Sequence, residues 1–144
     1  MINPERQFTF INQLTHHTPR QPFMVECFAT WCGPCRQMAP HLAQLHAKYP
    51  KFFIVSVSSE DQDKVTEFVQ NNPHCQKFNV AVDSQKKAAG LQQKYSVNGI
   101  PHAFIFDENC QVVWQGHPSE AEPEIVKVLK NSESAGFVGK SRVL

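Results

Sequence analysis

The chain has 144 residues, 41% hydrophobic and 19% charged, with a formal net charge of +1. That length fits one domain with a sizeable core, and the composition disfavours disorder. Near-neutral charge removes the electrostatic case for nucleic acid or an anionic membrane as partner, and apolar runs of only strand length leave no transmembrane helix.

In chain order, Asn3-Pro4 reads as a cap and first helical residue, with Phe8, Ile11 and Leu14 continuing a short amphipathic helix. His16 to Pro22 is a polar connection. Phe23 to Ala29 is an almost unbroken apolar run, the mark of a strand buried on both faces. From Cys32 to about Tyr49 the helical spacing of Met38, Leu42, Leu45 and Tyr49 predicts a helix, kinked at Pro40. A strand at Phe52–Val57 follows, then a helix capped by Ser58 or Ser59 that carries Val65, Phe68 and Val69. Asn71-Asn72-Pro73 ends it. Phe78–Val82 reads as a short strand, and Asp83 or Ser84 caps a helix bearing Ala88, Leu91 and Tyr95. His102–Phe106 and Gln111–Gln115 form a hairpin about the turn Asp107–Cys110, and a last helix carries Ile125, Val128 and Leu129. The expected domain spans residues 1–131, with a flexible polar tail over 132–144. Strands alternating with helices, then a hairpin, predict an α/β fold with a mixed sheet covered by helices on both faces.

The chemistry concentrates in Trp31-Cys32-Gly33-Pro34-Cys35, where a buried strand gives way to a helix. Two cysteines three apart at a helix start share one face and can approach closely enough for a disulfide. Unpaired N–H groups and the positive dipole end favour a thiolate at Cys32, which disulfide exchange requires. The remaining cysteines, Cys27, Cys75 and Cys110, are scattered and do not form a secreted-type disulfide framework. Cys27 reads as a small buried hydrophobe, while Cys75 and Cys110 fall in turn-like surroundings. The opening residues lack the basic-then-apolar pattern of a secretory signal, which implies a cytoplasmic protein; an exported form with its signal removed is the other reading.

Cys32-Gly33-Pro34-Cys35 after a buried strand, Glu26 inside that strand, Pro40 in the next helix and Gly99-Ile100-Pro101 before a later strand together resemble thioredoxin over roughly residues 7–131. The span from Phe53 to Gly99 is longer than in simple thioredoxins and holds an extra helix–strand unit. In this the chain is similar to TlpA-like thiol–disulfide oxidoreductases of the thioredoxin superfamily. The resemblance implies a thioredoxin fold, a cis Ile100–Pro101 bond beside the disulfide, and Trp31, Gly33, Pro34, Ile100 and Pro101 as the substrate surface. It further implies a monomeric protein-disulfide reductase without cofactor or metal. Its partners would be disulfide-containing proteins and an electron-donating reductase or small thiol.

On that reading Cys32 attacks and Cys35 resolves. Glu26, the only charge in its strand, is the expected base, because desolvation raises a carboxyl toward neutrality; the other reading of Glu26 is pairing with a lysine to support the fold. The competing readings of the whole chain are a thioredoxin-fold interaction module, a peroxiredoxin-like antioxidant protein and a zinc site. The peroxiredoxin signature P-x-x-x-T-x-x-C is absent, and no second ligand pair repeats the Cys32–Cys35 gap.

Overall fold

The computed structural model describes residues 1–136. Its centre is a six-stranded mixed sheet in the order β1-β4-β3-β2-β5-β6. The strands are β1 (Thr9–Asn12), β2 (Phe23–Cys27), β3 (Phe53–Ser58), β4 (Asn79–Val82), β5 (His102–Phe106) and β6 (Val112–Gly116). β2 pairs in parallel with β3, and β3 with β4; the remaining neighbours are antiparallel. The helices are α1 (Pro4–Gln7), α2 (Gly33–Lys48), α3 (Gln62–Gln70), α4 (Lys87–Lys94) and α5 (Glu122–Ser134).

β2 lies in the middle, and all five of its residues are buried. Successive strand side chains point to opposite faces, so β2 feeds two cores. Met24 joins Leu42 and Leu45 of α2, Val65 and Val69 of α3, and Ile125 and Val128 of α5. Phe23, Val25 and Cys27 join Phe53, Phe104 and Ala88 of α4 on the other side. Phe23 stacks flat on Phe106, with ring centroids 4.4 Å apart. Glu26 shares the parity of Met24 and therefore belongs to the α2 side.

Several elements depart from the sequence reading. The N-terminal helix stops at Gln7, and Phe10 and Ile11 lie in β1, an edge strand antiparallel to β4. Ser58 does not cap a helix: it is the last residue of β3, paired with Val82, and α3 begins later behind Asp61. α2 carries Pro40 inside it, as the sequence reading has it, and continues to Lys48. That proline removes only the bond to the Arg36 carbonyl, and it lies on the exposed side of the helix. α5 continues to Ser134 with Ser132 buried, and residues 137–144 of the expected tail lie outside the described residues. Within the polar connection His17 is half-buried, its ring edge-on to Phe23 and Phe53.

Other expectations hold in detail. The Asp83 carboxylate accepts the N–H groups of Ala88 and Ala89 at 3.0 and 2.8 Å, capping α4. The hairpin turns at Asp107, whose Oδ1 accepts from the N–H groups of Asn109 and Gln111. No helix among the described residues is long and apolar enough to cross a membrane.

Candidate active site

Cys32 is the N-cap of α2, with extended backbone, and Gly33 and Pro34 form the first turn. Its sulfur occupies the place of a capping oxygen, accepting the Cys35 N–H at 3.2 Å. A sixteen-residue helix thus directs its unpaired donors and positive end at one sulfur atom. Cys32 and Cys35 form a disulfide, with Cα atoms 5.3 Å apart. The Ile100 carbonyl oxygen lies 3.8 Å from Cys32 Sγ. Ile100 is joined to the buried Pro101 by a cis peptide bond.

Both cysteines are nearly covered, 3% and 5% exposed, so accessibility alone does not distinguish them. What they face does. Cys32 borders an open groove of about 550 Å³, which Trp31, Gly33, Pro34 and Ile100 also line. Trp31 is 70% exposed beside it. Cys35 borders instead a small cavity of about 10 Å³ lined mostly by buried residues, space for the centre of about one water molecule. Glu26, Ser56 and Cys75 line that same cavity.

Glu26 is 1% exposed. Neither of its carboxyl oxygens has a hydrogen-bond partner among the described residues, so the lysine pairing is not made. Burial pushes its pKa up to about 8, against a smaller downward pull from Ser56. Ser56 is its partner across the parallel β2–β3 pair, and the Ser56 hydroxyl makes no hydrogen bond of ordinary geometry either.

The loop that delivers the cysteines is clamped at Thr30. The Glu60 carboxylate accepts from Thr30 N–H and Thr30 Oγ1, both at 2.7 Å, and from Ser58 Oγ at 2.8 Å. Arg36 donates to the Thr30 carbonyl at 3.2 Å. All three polar groups of the residue before Trp31 are therefore held.

The structure gathers Trp31, Cys32, Gly33, Pro34 and Ile100 around the groove, with Cys35 and Glu26 at the cavity behind. Sequence reasoning missed Ser56, Glu60 and the far groove wall of Gln92, Val97 and Asn98. Ser56 had a signal, being a polar residue inside an otherwise apolar strand run. The wall had a weak one. α4 ends in a Schellman turn, Val97 N–H to the Gln92 carbonyl and Ser96 N–H to the Gln93 carbonyl, with Ser96 at φ 54° where glycine is usual. Of the remaining thiols, Cys27 and Cys75 are buried and Cys110 is partly exposed, all unbonded. Burial raises the Cys75 thiol to about 11, helped by Glu26.

A thioredoxin-like family model matches residues 21–112. The thiol-disulfide oxidoreductase ResA of Bacillus thuringiensis (strain Al Hakam) is 31% identical over 105 residues, covering 72% of this chain and 58% of that protein. The chain thus spans less than two thirds of the length of that relative. Thioredoxin Asp f 28 of Aspergillus fumigatus is 46% identical over 48 residues, 33% of this chain and 42% of that protein. Among solved structures, a putative thiol:disulfide interchange protein DsbE from Chlorobium tepidum superposes with a TM-score of 0.61 at 26% identity, over 90% of this chain and 93% of the other. The dsbF structure from MTB superposes with a TM-score of 0.64 at 19% identity, over 92% and 99%.

Proposed function

This chain belongs to the thioredoxin-like family, and on that premise we propose that it is a thiol–disulfide oxidoreductase that reduces disulfides in protein substrates. The observation that carries the proposal is the division of the two sulfurs: one faces an open groove at a helix N-terminus, the other a small buried cavity shared with a protonatable carboxyl group.

In the reduced protein the Cys32 thiolate, stabilised by the Cys35 N–H and the α2 dipole, attacks one sulfur of a substrate disulfide in the groove. A Cys32–substrate bond forms, and the other substrate sulfur leaves as a thiolate. Cys35 then gives its proton to the Glu26 carboxylate and attacks Cys32 Sγ. The second substrate sulfur leaves and takes up a proton, and the Cys32–Cys35 disulfide remains. An external dithiol or a reductase returns the pair to two thiols. A carboxyl with a pKa near 8 accepts a thiol proton far more readily than one ionising at 4.5.

A monomer in a reducing compartment such as the cytoplasm completes the reading. Three thiols stay unbonded, and among the described residues the exposed large hydrophobics are Met1, Leu14, Trp31 and Val113. Insulin reduction driven by dithiothreitol tests the activity: catalysis by the wild type and none by Cys32→Ser is expected. Equal rates with and without protein leave only the interaction-module reading.

A further inference from the structure

Resting on the reductase reading, one thiol that the proposed cycle does not use has a place beside it. Cys75 lies in a short 3-10 helix over Pro73–Gln76, between α3 and β4, which packs against α2. It is 6% exposed and belongs to the same core as Cys35. Of the three unbonded thiols it is the one bordering the cavity of about 10 Å³ that Cys35 and Glu26 also border. Cys27 belongs to the opposite core, and Cys110 sits in the turn between β5 and β6. Asn12 of β1 holds the Cys75 segment in place, its Nδ2 donating to the carbonyls of Cys75 and Phe78 at 3.4 and 2.8 Å. The Glu26 charge raises the Cys75 pKa, so thiol and carboxyl are near neighbours.

Both Glu26 oxygens and the Ser56 hydroxyl are buried at this cavity without a hydrogen-bond partner among the described residues. An unpaired buried polar group costs stability, and a carboxyl kept in that state between two sulfurs is placed to take a proton from either. The sulfurs are also arranged for exchange. Cys35 borders the cavity and not the groove, and Cys32 the groove and not the cavity. A thiol in the cavity therefore reaches Cys35 from the side turned away from Cys32. Cys32 is a good leaving group there, because the α2 N-terminus and the Cys35 N–H stabilise its thiolate.

We propose that Cys75 is a third redox thiol, which displaces Cys32 from Cys35 in the oxidised protein and gives it a second disulfide form. The Cys75 thiol passes its proton to the Glu26 carboxylate, and its sulfur bonds to Cys35 Sγ. The Cys32–Cys35 bond breaks, and Cys32 leaves as a thiolate. The oxidation level of the protein is unchanged, and no outside reagent takes part. Cys32 is then free at the groove while Cys35 is occupied, so Cys35 cannot resolve an adduct formed on Cys32 in this form. Burial holds the Cys75 thiol near 11 and Glu26 near 8, so the proton transfer is uphill and the exchange is slow.

The test alkylates the oxidised wild-type protein with iodoacetamide at pH 8, where about half of Glu26 is ionised. Labelling is stopped with acid at increasing times, and unreduced tryptic peptides are read by mass spectrometry. The expected product carries the label on Cys32 and joins peptide 21–36 to peptide 65–77 through Cys35 and Cys75, and it accumulates with time. Label and link in one molecule distinguish it from residual reduced protein. In Cys75→Ala the Cys32 labelling of oxidised protein should be lost, whereas a merely structural role for Cys75 would loosen the site and raise it. Insulin reduction by the same wild-type preparation reads the reductase activity separately. Activity without the 21–36 to 65–77 link, or Cys32 labelling that Cys75→Ala leaves intact, overturns the proposal while the reductase reading stands. Neither link nor activity overturns both.

Discussion

Replacing Glu26 by Gln keeps the size of the side chain and removes its ionisation. In the unfolded chain this carboxyl ionises near 4.5, whereas in the folded protein burial moves it to about 8. Between those values the folded protein holds a proton that the unfolded chain has lost, so raising the pH favours unfolding by about 1.4 kcal/mol per pH unit. Below 4.5 both states are protonated and above about 8 both are ionised, so the effect is flat at either end. Across the window it amounts to about 5 kcal/mol, an upper figure because rearrangement around the ionised carboxylate reduces it. Urea unfolding of the oxidised protein at closely spaced pH values measures this, compared with Glu26→Gln. His17 and His46 also titrate with folded pKa values lowered by burial, but they cancel in the difference between the two proteins. The difference curve is expected to fall by at least about 2 kcal/mol from pH 5 to 8. A flat difference curve refutes the buried-carboxyl argument and with it the assignment of Glu26 as proton acceptor. On the kinetic side, about one tenth of Glu26 is ionised at pH 7, so resolution of the mixed disulfide should accelerate as the pH approaches 8. Glu26→Gln should slow it by about a hundredfold.

Cys35→Ser should trap substrates as mixed disulfides on Cys32 that survive non-reducing electrophoresis and disappear on adding dithiothreitol. Recovery of the same adducts from Cys32→Ser would count against Cys32 as the attacking sulfur. Glu60→Ala removes the acceptor for Thr30 and for the fully buried Ser58 and should cost about 2 kcal/mol in urea unfolding. Burial raises the Glu60 pKa, but the bonds from Thr30 and Ser58 outweigh it and leave the folded value below 4.5. Its stabilisation is therefore present above pH 4.5 and lost as pH falls through the lower folded value, a loss that Glu60→Ala should not show. Asp83→Ala should cost about 1 kcal/mol through the lost α4 cap, seen as a lower denaturation midpoint with unchanged slope.

Where buried hydrophobic runs are long, the sequence identifies the element. β2, β3 and β5 read as strands because their residues are mostly apolar, broken only by Glu26, Ser56, Ser58 and His102, and α2 reads as a helix from Met38, Leu42 and Leu45. β1 did not, because Phe8, Ile11 and Leu14 fit a helical spacing while the real determinant is distant. Thr9 pairs with Val82, and no local pattern contains that partner. The Glu26–Ser56 pairing and the Glu60–Thr30 clamp are likewise cross-chain, each joining residues thirty apart. Cys32, Cys35 and Trp31 were legible because they fall within five consecutive residues. The groove wall was not, because it depends on a helix C-terminus turned by a serine at positive φ.

Strand parity explains why the carboxyl and the buried sulfur meet. Phe23, Val25 and Cys27 point to the α4 side, so Glu26 must point to the side that α2 covers. α2 begins directly after this strand and packs back over it, which brings Cys35 and Ala39 above Glu26 and closes the cavity between them. Cys32, still outside the first helical turn, stays at the rim and faces the groove. A one-residue change in the position of the acid would place it in the other core, among Phe53 and Phe104, with the sheet between it and Cys35. The spacing from Glu26 to Cys32 is therefore a geometric requirement of the proposed proton transfer, fixed by the two-residue strand repeat and by the helix that starts at the disulfide.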